Sequence, residues 1–301
     1  MNTNSLNRRK FIVNGASVLG SALIMSDPLI ILAAGVQTNA LTVGQIMDLF
    51  IKEIPDAPFA NTVDTLKSGN RDIVVTGIVT TMFATIEVIR KAVSLKANFI
   101  VAHEPTFYNH QDQTKWLEDD DVYQYKAALL KEHNIAVWRN HDYVHSLATD
   151  GVRKQVVDQL GWSDFGNANQ PVFSLNPVLS LKDLIDHAKK KLGVPALRYI
   201  GNLSQPCGRV LLMPGAAGGM SQIRNIHNHK PDVLVCGEVS EWETAEYVRD
   251  ARAKGDKLAL VVLGHAASEE PGSLFMARWF REKVPAIKTT HLPAGNSLSF
   301  R

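Results

Sequence analysis

The residues that could do chemistry follow three short apolar runs. Residues 258–263 form one such run, which is rich in β-forming residues and ends at Gly264, as a buried strand does. Residues 98–102 and 135–138 form the other two. The histidines and acids that follow the three runs are His103, Glu104, His141, Asp142, His145, His265 and Glu269. Because open α/β sheets bind ligands at the carboxyl ends of their strands, we expect these side chains to converge on one site.

Imidazole and carboxylate groups beside buried strands predict a metal centre. Burying such groups costs free energy, and a bound cation offsets that cost. Three imidazoles and two carboxylates around two divalent ions leave about two positive charges, which hydroxide or substrate oxyanions can neutralise. Nitrogen and oxygen ligands without thiolate suit Zn, Mn, Fe or Co. The remaining histidines are interpreted as surface or structural residues: His110, His133, His187, His227, His229 and His291.

The apolar pattern alternates between strand and helix spacing along the chain, which predicts an α/β fold with mostly parallel sheets flanked by helices. In the first half we expect helices over 43–51, 84–93, 123–130 and 152–160, and strands over 73–79, 98–102 and 135–138. In the second half we expect helices over 181–192, 221–227, 241–253 and 271–282, strands over 197–200, 209–213, 232–236 and 258–263, and an edge strand over 286–290.

The length of 301 residues and a hydrophobic content of 45% allow two domains with substantial cores. The loop-like stretch 161–177, rich in Gly, Asn and Pro, marks a boundary between them. We therefore predict an N-terminal α/β domain over 41–170 and a C-terminal α/β domain over 171–301.

Charge and cysteine usage exclude several classes. The formal net charge is +2, and no basic run is longer than the three residues Lys189, Lys190 and Lys191, so nucleic-acid binding is not expected. Cys207 precedes one predicted strand and Cys236 ends another. If those strands are parallel, the thiols lie too far apart for a disulfide, and two cysteines cannot form a thiolate zinc cage. Both cysteines are therefore predicted to be structural.

Residues 1–40 have the pattern of a twin-arginine export signal. Arg8 and Arg9 precede a weakly apolar segment, as in that class of signal, and we expect the protein to be exported to the periplasm. An ordinary secretory signal or an amphipathic helix are the alternatives. No apolar stretch is long enough to span a bilayer, so no stable membrane anchor is expected.

Two further features have both a functional and a structural interpretation. The glycine-rich loop 214–219 follows a strand and precedes a helix, so its amides could bind phosphate or simply form a tight turn. Glu238 and Glu241 could line a ligand cleft, or they could complement a helix dipole.

Four segments resemble the Nif-three-like dinuclear metal-centre family, also called GTP cyclohydrolase I type-two-like: 97–105, 141–151, 232–238 and 264–269. The resemblance covers most of residues 41–301. The ligands of that family are paired histidines, an aspartate, and a later His and Glu. They fall on His103, Glu104, His145, His265 and Glu269. Glu104 replaces the second histidine and His145 replaces the aspartate, so the inventory of three imidazoles and two carboxylates is kept.

The resemblance implies a two-domain α/β fold with a dinuclear metal site in the cleft, a toroidal hexamer and a metal-dependent hydrolase acting on an unidentified small molecule. His141 and Asp142 would orient a ligand or transfer a proton, and Asp142 is the alternative ligand to His145. Two other functions stay open: a non-catalytic metal-binding scaffold, and an exported solute-binding protein without metal.

Overall fold

The strands form two sheets, and the candidate residues follow strands of both. The computed structural model describes residues 40–299 and 301. Its strands are β1 (Leu66–Ser68), β2 (Ile78–Thr81), β3 (Phe99–Ala102), β4 (Ala136–Arg139), β5 (Val172–Ser180), β6 (Arg198–Ile200), β7 (Pro206–Met213), β8 (Val233–Cys236), β9 (Ala259–Val262) and β10 (Thr289–His291). Its α-helices are α1 (Val43–Ile51), α2 (Ile86–Ser94), α3 (Asp121–Glu132), α4 (Asp142–His145), α5 (Gly151–Leu160), α6 (Leu181–Leu192), α7 (Gly219–His229), α8 (Glu246–Ala253) and α9 (His265–Lys283).

The first sheet has the order β1-β4-β3-β2-β10. Strands β2, β3 and β4 are parallel, with Thr81 opposite Ala102 and Ala102 opposite Arg139. Strand β10 joins β2 in parallel, and β1 pairs with β4 in the antiparallel direction. The carboxyl ends of β3 and β4, directly before His103 and Asn140, therefore lie at the same edge of the sheet.

The second sheet has the order β5-β7-β8-β9-β6. Its three central strands are parallel, with Met213 opposite Cys236 and Cys236 opposite Val262. The antiparallel strands β5 and β6 close its two edges. The loops that begin at Pro214, Gly237 and Leu263 are therefore neighbours. The two sheets confirm the predicted α/β class.

One continuous apolar core joins the two sheets. It combines buried strand residues of both sheets with the apolar faces of α1, α5, α6 and α9. Phe50 contacts Trp138 edge-to-face at a centroid distance of 5.9 Å and Trp279 at 4.9 Å. Two smaller clusters cover the other faces of the sheets, with α2 and α3 on the first sheet and α7 and α8 on the second. Each sheet is thus buried on both sides, which explains its uninterrupted apolar strands.

Four sequence predictions about elements were wrong. The strand expected over 73–79 begins only at Ile78, in β2. The last six residues of the predicted loop 161–177 belong to strand β5. Pro177 is tolerated there because β5 is an edge strand. The C-terminal strand belongs to the first sheet, not the second, since β10 pairs with β2. Helix α9 begins at His265, six residues before Pro271, so His265 and Glu269 lie on its first two turns. Strand β1 was not predicted.

The cysteine prediction is confirmed, because β7 and β8 are parallel and both thiols are free and buried. Among the described residues, no helix combines the length and apolar character needed to cross a bilayer. Residues 40–301 form one compact unit. The division at residue 170 stays a prediction, and the export signal lies outside the described residues.

Candidate metal centre

Side chains from the carboxyl ends of both sheets meet at one place. Strand β3 leads into one pair of candidates, β4 leads into α4, and β9 leads into α9. The structure brings together all five predicted ligands and one of the two predicted catalytic residues: His103, Glu104, His141, His145, His265 and Glu269.

The buried carboxylate of Glu269 contacts three imidazoles. Its Oε2 lies 3.1 Å from Nε2 of His265 and 3.5 Å from Nε2 of His103. Its Oε1 lies 4.0 Å from Nε2 of His145. Burial raises the pKa of Glu269, but the neighbouring imidazoles of His103 and His265 outweigh burial and hold the pKa well below its usual range. Glu269 is therefore an anionic link between the two sheets.

The two oxygens of Glu104 have separate partners. Oε1 lies 3.2 Å from Nε2 of His265 and 3.7 Å from Nε2 of His141. Oε2 lies 3.3 Å from Nη2 of Arg139, whose side chain is fully buried. Since Arg139 occupies one oxygen, Glu104 presents the other to the imidazoles.

Three imidazoles form a tight group. The ring centroids of His103, His141 and His145 are separated by 4.8, 4.9 and 5.1 Å. One ring nitrogen from each lies within 4.8 Å of the others. The same criterion joins His103 to Glu104 and Glu269 in a second group. Each group has enough donors for one cation.

An acceptor holds Nδ1 of every imidazole in the site. The Nδ1 atoms of His103, His141, His145 and His265 lie 3.2 Å from the carbonyl of Asn140, 3.0 Å from Asp142, 3.0 Å from Asp150 and 2.9 Å from Glu238, respectively. Metal-binding histidines are usually oriented in this way, because the acceptor fixes the ring and leaves the other nitrogen for the metal. The Nε2 atoms consequently face the two carboxylates.

The pKa values show two kinds of imidazole. Burial, aided by the charge of His103, lowers the pKa of His141 to about 4, so its ring is neutral at pH 7. Burial also lowers the pKa of His265, but Glu104 and Glu269 reverse this and raise it to about 10. A cation at His265 must therefore displace a proton, and cation binding weakens as the pH falls.

The donor set fits divalent cations. Nε2 of His103 is buried and makes no hydrogen bond with acceptable geometry to any described residue, its nearest acceptor being Glu269. A buried polar atom of this kind is costly unless a ligand completes it. Neutral imidazoles and anionic carboxylates are the donors that divalent transition metals take.

Asp142 lies behind His141 and not among the converging donors. Its Oδ2 accepts hydrogen bonds from Thr62 Oγ1 at 2.7 Å and the Val63 amide at 3.1 Å, and its Oδ1 faces Nδ1 of His141. Both oxygens are thus engaged. Of the two alternatives from this loop, His145 presents a nitrogen to the site and Asp142 orients a neighbour.

Comparison with known proteins places this chain in a family. The model of the Duf34/NIF3 (NGG1p interacting factor 3) family matches residues 45–294. The chain belongs to this family. It is 24% identical over 224 residues to a Clostridium acetobutylicum protein named GTP cyclohydrolase 1 type 2 homolog, covering 71% of this chain and 79% of the relative.

Solved structures of other proteins share the fold. A Bacillus cereus protein related to NIF3 superposes with a TM-score of 0.70 at 17% identity, over 88% of this chain and all of its own. A Staphylococcus aureus protein gives a TM-score of 0.68 at 18% identity, over 87% of this chain and 99% of its own. At these identities the likeness establishes the fold.

The glycine-rich loop of this NIF3-family chain packs against the site. Gly215 has φ +68°, and a Cβ placed there would lie 2.5 Å from the carboxyl carbon of Glu269. Its amide donates to Ser268 Oγ at 3.0 Å. Glycine is therefore required because the backbone passes directly over a buried carboxylate.

Gly215→Ala is expected to be more harmful than Gly193→Ala. Gly193 has the same φ of +68°, but a Cβ there meets nothing within 4 Å. Gly193→Ala should lose about 1 kcal/mol of unfolding free energy from backbone strain alone, and Gly215→Ala about 1–3 kcal/mol more from the clash. Urea denaturation measures both. Equal losses would show that the Glu269 contact does not constrain this loop.

Asp150→Asn is expected to weaken cation binding by about 10–100-fold, because the carboxylate that orients His145 is lost. The substitution keeps the N-cap of α5, where Asp150 accepts from the amides of Val152 and Arg153. Asp120→Asn is the matched control, since Asp120 caps α3 away from the site. Zinc affinities from competition with a chelator distinguish the two, and equal affinities would contradict an orienting role.

Sequence reasoning missed three residues that build the site. Arg139 was missed because it is the last residue of an apolar strand. Asp150 was missed because its position is typical of a helix N-cap. Asp64 accepts hydrogen bonds from the amides of residues 141, 142 and 143, and burial raises its pKa to about 6 despite them. Only Asp150, five residues after His145, carried a usable sequence signal.

Proposed function

We propose that this protein binds two divalent cations and is a metal-dependent hydrolase. The observation that supports this most directly is the convergence of four Nε2 atoms on two carboxylates, with the buried Nε2 of His103 lacking a hydrogen bond among the described residues. The proposed ligands are His103, Glu104, His145, His265 and Glu269. A purely structural site would be expected to satisfy such an atom within the protein.

The residues around the ligands would position them and control protons. Bound divalent cations supply Lewis acidity, which favours attack of water on a carbonyl, amidine or phosphoryl centre. Asp142, Asp150 and Glu238 hold the imidazoles so that Nε2 is directed to the reacting space. His141, neutral at pH 7, is placed to accept a proton at Nε2.

The substrate is proposed only as a small molecule with a hydrolysable ester, phosphate or cyclic amidine group. The clostridial relative carries the name GTP cyclohydrolase 1 type 2 homolog, which motivates including GTP among the compounds tested. An exported protein would encounter little GTP, so the other compounds are equally important.

Metal-loaded protein should hydrolyse at least one compound in a panel of esters, phosphate esters, cyclic amidines and GTP. His265→Ala should reduce that turnover at least about 100-fold while the circular dichroism spectrum stays unchanged, because it removes a ligand that contacts both carboxylates. His133→Ala, at the exposed end of α3, is the control.

Two outcomes would contradict the hydrolase. Tight cation binding without turnover across the panel would favour a non-catalytic metal-binding scaffold. Turnover that survives both His265→Ala and chelation would show that the hydrolysis does not use this site.

We also propose export to the periplasm and assembly into a ring, both of which rest on the sequence. A reporter fused to residues 1–40 should be exported, and replacing Arg8 and Arg9 by lysine should abolish export. Retention of the unaltered fusion in the cytoplasm would contradict the localisation. Sedimentation should show an oligomer, six-membered by the family resemblance.

A further inference from the structure

The two groups of donors in the site differ in chemical character. One consists of three imidazoles, from His103, His141 and His145. The other is dominated by the carboxylates of Glu104 and Glu269, with His265 at 3.2 and 3.1 Å from their oxygens. His103 meets the distance criterion for both groups. When it is counted with the imidazoles, each group still has three donors, because His265 completes the second.

We propose that the two cations bind at two sites that prefer different metals. The site formed by His103, His141 and His145 suits zinc. The site formed by Glu104, His265 and Glu269 suits manganese. This inference rests on the proposed function for the presence of two cations. It assigns Nε2 of His141 to metal binding in place of the proton-accepting role given to it above, and it keeps the other five proposed ligands.

The position of His141 supports its assignment as a ligand. Its ring lies 4.8 Å from that of His103 and 4.9 Å from that of His145, centroid to centroid. Asp142 holds its Nδ1 in the same way as Asp150 holds Nδ1 of His145. In both residues an aspartate orients the ring through Nδ1, so Nε2 of His141 is left for a cation just as Nε2 of His145 is.

Ligand preference separates the two sites. Imidazole is a good donor to zinc, whereas carboxylate oxygen suits manganese. Three imidazole ligands bring no negative charge to a divalent ion, whereas the carboxylates of Glu104 and Glu269 neutralise it. Glu269 can couple the two sites, since its Oε1 faces His145 and its Oε2 faces His265.

Titration of the metal-free protein with zinc tests whether the two sites differ in affinity. We expect zinc to bind in two steps whose affinities differ by about 10–100-fold. Changes to the residues around a metal alter its affinity by the same range. After one equivalent of zinc, one equivalent of manganese should bind and give the electron paramagnetic resonance spectrum of an isolated Mn²⁺ ion.

Two variants assign the steps. His141→Ala should abolish the tight zinc step and leave manganese binding, and Glu104→Gln should abolish manganese binding and leave the tight zinc step. His145→Asp, which exchanges an imidazole for a carboxylate at a partly exposed position, should narrow the difference between the steps. His110→Ala, an exposed histidine 6.4 Å from the ring of His141, should change neither step.

The possible failures are distinguishable. Two steps of equal affinity, or variants that weaken both steps alike, would overturn the difference between the two sites and leave the hydrolase intact. Unequal steps without turnover would overturn the hydrolase alone. Absence of bound metal would overturn both.

Discussion

Arg139→Met is expected to lower the free energy of unfolding of the metal-free protein by about 3–5 kcal/mol, the cost of removing one partner from a buried ion pair. The guanidinium is fully buried, lies 3.3 Å from Glu104 Oε2 and 3.6 Å from Asp112 Oδ2, and donates to the backbone carbonyls of His103 and His110. Without the guanidinium, the carboxylate of Glu104 is a buried charge that has lost its ion-pair partner. Urea denaturation with a chelator present measures the loss.

The pair Arg139→Met with Glu104→Gln should recover a large part of that loss, because the unpaired buried charge is also removed. Arg90→Met is the matched control. Arg90 is exposed and contacts Tyr125 at 2.8 Å, and its loss should cost no more than about 0.5 kcal/mol. A loss below about 1 kcal/mol for Arg139→Met, or no recovery in the pair, would show that Arg139 does not hold Glu104.

Glu269→Gln is expected to weaken cation binding by about 100-fold or more. This is a larger loss than is usual when a residue that only orients a ligand is replaced. Glu269 contacts His103, His145 and His265, so its charge is shared by both donor groups. At a metal concentration about 1,000 times the wild-type Kd, the cation stabilises the fold by about 4 kcal/mol. A 100-fold weaker affinity removes about 2.7 kcal/mol of that.

The thermal shift between metal-loaded and chelated protein measures this difference. Glu282→Gln makes the same chemical change at an exposed position of the same helix and should keep the full wild-type shift. A full shift in Glu269→Gln would mean that cations bind elsewhere in the protein.

Much of the fold follows from local patterns in the sequence. The parallel central strands are continuous apolar runs because both faces of each sheet are buried. Strand β1 is only three residues long, with half-buried side chains, so no apolar run marks it. The place of β10 depends on a long-range pairing with β2, more than 200 residues away, which no local pattern encodes.

The candidate site was predictable to a similar extent. A strand end predicts which edge of a sheet a residue occupies, so residues such as His103 and His265 could be expected to meet. It does not predict how a loop turns after the strand. Asp142 faces Thr62 and Val63 for this reason, although it directly follows His141. Arg139 could not be found because its partners come from a separate loop, 103–112.

Metal analysis of protein purified without a histidine tag tests the central claim most directly. The convergence of imidazoles and carboxylates predicts about two equivalents of divalent transition metal per chain, reduced to at most one in Glu269→Gln. Wild-type protein that holds no metal, and takes up none from solution at neutral pH, would contradict the account.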